Sequence, residues 1–552
     1  MRHLCEHAIF RRSIARLAAA FLGLSCACVF AATDDTSLPT GAELEAAGAV
    51  IGNIRFERNN VFDLSEPGEN NALYRLANRL HVLTREDVIR QQMLLRPGDS
   101  YSVRLVEESE RILRANGYFY DARIHVAAYQ GGAVDLVVTT RDVWTLIPGF
   151  SISRKGGENR LRASLSEENL FGKGRRVKLA FVDDVDREST SLEYADRNVG
   201  DSWWSLQARV ADNSDGDSQY FSLQRPFYAL NTHRSVGLNL YANDAETRFY
   251  ELGDEVAEYR VESRVATVFY GRSAGLKGGW VRRLRAGLTF DEHDFSMTAT
   301  PQFPQFLPAD RKLVYPWIGI EVVEDRFETT RNHDQIARTE DFYVGRRFTA
   351  QLGIASRAFG SDRSAVPFSA SASRSFGSLE SRAFLLRSSL HGRLESGDVV
   401  NALWQMDGRY YLKLSDKSLI YTTLSAALGE DLDLDQPLSL GGDNGLRGYP
   451  LRYQVGDKRV LATAEYRYFT NWYPFRLVRV GGAVFADVGR TFGDNPAGGK
   501  SLGWLKDVGI GLRFMPTRAS GREVVHLDLA FPLDGDPSID TLQILLESKR
   551  SF

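Results

Sequence analysis

The sequence predicts a transmembrane antiparallel β-barrel preceded by one small α+β domain, and three observations carry that prediction. A basic and then apolar N-terminus reads as an export signal. After Val143 helical periodicity disappears, and short alternating segments recur about every 20 residues. Beyond the N-terminus no run of about 20 apolar residues occurs, so a membrane would be crossed by strands, of which only alternate residues face lipid.

Residues 1–32 read as a signal peptide: Arg2, Arg11, Arg12 and Arg16 precede an apolar stretch at 17–30, and Ala31 and Ala32 supply small residues for cleavage. All three cysteines, Cys5, Cys26 and Cys28, lie in it, so the mature chain has no disulfide, thiol catalyst or cysteine-held metal. Residues 33–48, polar and rich in Ala and Gly, read as a linker.

The next segment, 49–142, mixes periods. A strand is expected at 51–56, then helices at 70–80, from Thr84 with Asp87 as a capping box, and at 102–116. In the last, Leu105, Val106, Ser109, Ile112 and Leu113 form one stripe, opposite a charged face. A hairpin of 118–128 and 133–140 across Gln130-Gly131-Gly132 completes the small α+β domain.

From 143 to 552 the alternating segments include 161–165, 177–181, 284–290 and 405–412, and they number roughly twenty. Trp203, Trp204, Tyr410, Tyr411, Trp472 and Tyr473 cluster near segment ends, as aromatic girdles do at membrane interfaces. The last strand places Leu542, Ile544 and Leu546 on its apolar face, with the terminal Phe552 in phase. The first strand, near 144–154, contains Pro148, which removes a ladder donor, and Gly149, which weakens a strand interior. A closing strand at 541–552 turns polar after Leu546, so the seam marked by Pro148, Gly149 and Phe552 is expected to be the weakest junction and able to open sideways.

Composition and motifs exclude several classes. A formal net charge of -3 gives no support to nucleic-acid binding. The nine histidines are scattered without metal-ligand spacing, no Gly-x-Ser-x-Gly elbow occurs, and the glycines at 441–445 lack the Gly-Lys-Ser/Thr ending of a phosphate loop. No enzyme, metal or cofactor is expected.

What remains is a charged constellation. In 458–469 the even positions Val460, Ala462, Ala464, Tyr466 and Tyr468 are apolar and the odd ones include Arg459, Glu465 and Arg467; in 478–490 the odd ones include Arg479 and Asp487. Both carboxylates therefore aim into the lumen. Upstream lies a Gly-rich loop with Leu446-Arg447-Gly448-Tyr449, whose arginine can bridge two carboxylates through charge-assisted hydrogen bonds. Arg459, Arg467, Arg479 and Arg513 also face the lumen and compete for the acids, and separately solvated charges are the alternative.

Gly441-Gly442 followed by Leu446-Arg447-Gly448-Tyr449 resembles the signature loop of the outer-membrane assembly-factor superfamily of BamA/TamA type. Ala464-Glu465-Tyr466-Arg467 and Phe485-Ala486-Asp487-Val488-Gly489 resemble its acidic strand motifs, and 49–142 resembles its periplasmic POTRA domain. The resemblance implies a barrel of sixteen strands against the roughly twenty segments present. It also implies a lid loop in which Arg447, Gly448 and Tyr449 meet Glu465 and Asp487. It implies an outer-membrane protein, without cofactor, in which the POTRA domain receives clients and the barrel promotes their insertion or translocation. Its partners would be outer-membrane lipid, unfolded outer-membrane or secreted polypeptides, and periplasmic or accessory subunits. A polypeptide-secreting transporter and a passive or structural barrel are the alternatives. Client capture by strand addition at the edge of the 118–140 hairpin fits a general receptor.

Overall fold

The computed structural model describes residues 38–298, 307–495, 502–521, 523–537 and 539–552. The signal peptide expected at 1–32 and residues 33–37 of the expected linker lie outside them. From residue 40 onward the chain forms one compact unit.

The small domain is a three-stranded sheet of β1 (Val50–Asn59), β2 (Phe119–Gln130) and β3 (Ala133–Asp142), in the order β1-β3-β2. β1 runs parallel to β3 and β2 antiparallel to it. The hairpin turns at Gly131 and Gly132, both at positive φ, which explains the glycine pair. Helices α1 (Gly41–Ala46), α2 (Ala72–Leu80), α3 (Glu86–Gln91) and α4 (Val103–Arg114) accompany the sheet. A core of Leu44, Ile51, Ile89, Leu113, Phe119 and Leu136 holds sheet, α1, α3 and α4 together.

Two local expectations are corrected. Within the stretch read as a linker, 41–46 is a helix, because Thr40 and Glu43 form a capping box and Leu44 is fully buried. Thr84 caps no helix. Its hydroxyl and its N–H both donate to Asp142 at 2.8 Å, and α3 starts after Arg85 without a side-chain cap. A buried carboxylate outcompetes a local cap.

The barrel is closed and antiparallel, running in chain order from Leu146–Lys155 to Gln543–Lys549, with twenty strands. The sixteen implied by resemblance is therefore overturned in favour of the segment count. Strands vary in length. The closing one has 7 residues, whereas Asp254–Lys277 has 24, far more than the roughly 9–11 that cross a bilayer. Outward positions are apolar and exposed, among them Leu284, Ile318, Val484, Ile510 and Ile544, as a lipid-facing wall requires. Among the described residues no helix is long and apolar enough to cross a membrane.

The small domain packs on the barrel end that holds the turns near 169–174, 226–233 and 517–521. Arg85 N–H donates to Gly172 O at 3.0 Å, Leu230 N–H to Glu108 at 2.8 Å, and Arg518 to Val61 O at 2.8 Å.

Candidate functional site in the barrel lumen

Between the strands Ser418–Glu430 and Lys458–Phe469, the pairs Leu438–Leu440 and Gln454–Gly456 form a short hairpin whose tip enters the lumen. Leu446 and Tyr449 are fully buried there with Leu440, Tyr453, Leu461 and Leu505. The Tyr449 hydroxyl donates to Lys506 O at 2.7 Å and accepts from Lys506 N–H at 3.0 Å. Gly448 passes so near the wall that a Cβ on it would lie 2.7 Å from Asp507 Cβ, and its N–H donates to the Asp507 carboxylate at 3.1 Å. Only glycine fits that approach.

This seating delivers Arg447 to the acids. Its Nε and Nη2 donate to the two oxygens of Asp487 at 2.7 and 3.0 Å, and Nη1 donates to Glu465 at 2.8 Å. Asp528 lies 3.6 Å from Nη1, and the Phe485 ring lies beneath the guanidinium. Burial disfavours the charge of Arg447, yet Asp487 and Glu465 outweigh it and hold the group above the ordinary arginine range. Thr463 donates to Asp487 at 2.6 Å.

Competing arginines add partners rather than displacing Arg447. Arg467 donates to the second Glu465 oxygen at 2.9 Å, and Arg513 pairs with Asp528. Arg459 binds Ser439 O and Arg479 lies over Tyr473, so neither reaches the acids. Sequence reading missed Asp507 and Asp528, although both sit at inward positions of alternating strands, the signal that marked Glu465 and Asp487.

A second inward segment was also missed. Between the strands Arg311–Glu324 and Arg347–Gly353 the chain leaves the end that carries the small domain and folds into the barrel, framed by Phe327–Thr330 paired with Glu340–Tyr343. His333, Ile336, Arg338 and Glu340 are buried there. Arg467 donates to His333 O at 3.0 Å, which ties this segment to the Arg447 network. Arg114 of α4 grips Asp341 with two hydrogen bonds of 2.8 Å, and Arg338 donates to Phe119 O at 2.5 Å, which ties it to the small domain. Burial, reinforced by the Asp334 carboxylate, pushes Glu340 up to about 8, against backbone N–H bonds from His333 and Asp334. The sequence of 331–340 has no period that marks it as lumenal.

Phe552 is not in phase with the outer face. The closing strand ends at Lys549, and the last residues turn inward, where Phe552 N–H donates to Asp334 O at 2.8 Å and its ring meets Phe469 at 4.7 Å. Alternation stops where the strand does.

The wall closes unevenly. Every residue of Val524–Ala530 has a register partner in the closing strand, and every residue of Leu146–Lys155 has one in the second strand. Between the closing and first strands, among the described residues, only Leu546 and Arg154 are paired. Pro148 and Gly149 lie inside the first strand, opposite Leu165 and Ser164, and at its start Trp144 instead bonds with Arg518 and Ser520 of a turn. A cavity of about 730 Å³ here is bounded by outward-facing Phe150, Val525 and Leu546 and by inward-facing Arg160 and Arg162.

The Omp85 superfamily domain matches residues 169–541. A POTRA family described as surface antigen variable number repeat matches residues 81–141. No match is found among curated proteins. Similar solved structures include BamA from Haemophilus ducreyi lacking POTRA domains 1–3, at 14% identity over 91% of this chain and 85% of that one, with a TM-score of 0.38. CdiB from Acinetobacter baumannii matches at 14% identity over 91% and 74%, with a TM-score of 0.44. CdiB from Escherichia coli matches at 13% identity over 90% and 76%, with a TM-score of 0.46.

Proposed function

From the premise that the chain belongs to the Omp85 superfamily, a family of outer-membrane insertion and secretion factors, we propose that it inserts client proteins into the outer membrane. The POTRA domain faces the periplasm and receives unfolded clients. The barrel offers them the seam between its first and last strands.

The observation that carries this reading is the single register pair, Leu546 with Arg154, at a junction where the neighbouring strands are fully paired. A strand edge without a partner is a template for another strand. An incoming client strand that pairs there exchanges solvent-exposed backbone groups for ladder hydrogen bonds, which a bilayer otherwise leaves unmet. The client's own folding free energy drives the step, and no nucleotide or metal enters it. The Arg447 latch holds together the strands on the C-terminal side of the seam while the junction yields.

A secretion reading is favoured by a different observation. A cavity of about 1040 Å³ in the lumen is lined by Arg347, Arg387, Asp407 and Arg409, as a path for a polar chain would be. One experiment separates the two. Depletion of the protein, scored by quantitative proteomics, should remove a set of barrel proteins from the outer membrane. Loss confined to the culture medium, with the outer membrane unchanged, overturns insertion in favour of secretion.

A further inference from the structure

Helix α2 does not belong to the core of its own domain. The POTRA core is built from the sheet, α1, α3 and α4. Residues 60–80 instead form a lobe seated on the barrel rim, with Val61, Phe62 and Tyr74 packed against Trp144 and Leu477. Phe62 and Tyr74 stack at 4.0 Å, and the Tyr74 hydroxyl donates to Phe475 O. Glu69, buried, pairs with Arg518 of the barrel, and Arg518 also binds Val61 O. The lobe is fixed to the barrel by polar bonds on one side.

Its other side has no partner among the described residues. Leu73, Leu76 and Leu80 are 67%, 50% and 63% exposed. At about 100° per residue these three and Ala77 fall within one arc of roughly 100°, Arg79 lies about 60° beyond its edge, and Arg75 points nearly the opposite way, where it donates to Asn70. A single leucine on a surface needs no account, but a stripe of three on one short helix does. The stripe joins the lipid-facing wall: Leu73, Leu76 and Leu80 bound one apolar cavity with Val478, the outward first residue of a barrel strand, and with Pro516 and Ala519. Arg518 is the one charged residue of that lining. Exposed Trp472 and Phe475 in the adjoining turn, and Tyr466 and Tyr468 on the next strand, extend the surface as an interfacial aromatic belt.

We propose that α2 lies in the periplasmic leaflet of the outer membrane, its leucines among phospholipid acyl chains and Arg79 at the phosphates. A helix lying in the interface buries its apolar face about 5–10 Å into the headgroup boundary and keeps long basic side chains at the charged level. The stripe suits acyl chains better than a client strand, since helical backbone groups are already paired and have none to offer an extended chain. The contact would hold the POTRA domain against the membrane on the side of Trp144, where the first barrel strand begins.

The mature chain is cysteine-free, so Leu76→Cys gives one labelling site. Full-length protein carrying an environment-sensitive fluorophore there would be reconstituted in phosphatidylethanolamine and phosphatidylglycerol vesicles. Doxyl groups would be placed near the headgroup or near the bilayer centre, and the control label would sit at Glu57→Cys on β1. Quenching at 76 should be about twofold stronger with the shallow doxyl than with the deep one, with no quenching at 57. Adding Leu73→Glu and Leu80→Glu should abolish it while heat-modifiable mobility shows the barrel still folded. Equal behaviour at 76 and 57, or quenching that survives the two glutamates, overturns the proposal. So does a label blind to doxyl lipid that shifts on addition of a urea-unfolded barrel protein, since the stripe would then bind clients.

Discussion

Arg447 and Asp487, on a loop and a strand, meet as a fork on a carboxylate, with Nε to Oδ2 at 2.7 Å and Nη2 to Oδ1 at 3.0 Å. Both side chains are at most 6% exposed, so the pair is dry and its charges depend on each other. The fork joins the lid loop to the same wall that Arg467 and Arg513 brace from neighbouring strands.

Removing the guanidinium leaves Asp487 buried without a cation, next to Glu465 and Asp528, which keep Arg467 and Arg513. Arg447→Ala should destabilise the lid and the adjacent strands by about 3–5 kcal/mol. Urea titration of heat-modifiable mobility measures it. Arg447→Lys keeps the charge but not the fork, and should recover only part of the loss. Wild-type stability in both variants would mean the latch holds nothing.

The seam should be the moving part. Arg154 and Leu546 are register partners, so Arg154→Cys with Leu546→Cys places two cysteines within disulfide reach, and the sequence's own cysteines are confined to Cys5, Cys26 and Cys28. The oxidised barrel should stay folded and lose client assembly, and reduction should restore it. Undiminished assembly with the crosslink complete excludes lateral opening.

The POTRA sheet offers clients less edge than its hairpin suggests. β3 is central, leaving β2 and β1 as edges, and on β2 the Phe119 and Ala122 carbonyls and the Ile124 N–H are already bound by Arg338, Arg114 and Glu110. Strand addition is therefore expected along the later part of β2, near residues 125–130. Photo-crosslinkers there should capture unfolded clients, and crosslinkers at 119–122 should not. Deleting residues 49–142 should abolish assembly while the barrel still inserts; full activity from the barrel alone removes the domain from the mechanism.

Docking of the inward segment should depend on pH through Glu340. Its folded value, about 8, lies above the ordinary 4.5, so the neutral carboxyl favours the docked state. That contribution is complete below about 4.5, falls as pH rises, and is gone above about 8. Single-channel recordings should show open time rising across this window and levelling beyond it. Glu340→Gln, which cannot ionise, should flatten the profile, and an unchanged profile in that variant assigns the effect to another group.

Period-two alternation by itself placed Glu465 and Asp487 inward, counted roughly twenty barrel segments, and separated a small α+β domain from a β-rich remainder. These are local properties, because the pleat decides which face a side chain takes. The motif around Arg447 pointed to the latch because glycine and arginine had to sit on one loop. Tertiary structure alone decided where chain without strand periodicity goes. Phe552 follows the outward parity in sequence but turns in beside Asp334, and 331–340 enters the lumen because Arg467, 134 residues from His333, is there to bind its carbonyl. Pro148, Gly149 and the polar tail after Leu546 pointed to a weak seam, but the single pair there, like the α2 stripe, is a product of tertiary structure. Both depend on which surfaces the closed barrel leaves uncovered, and closure couples residues hundreds of positions apart.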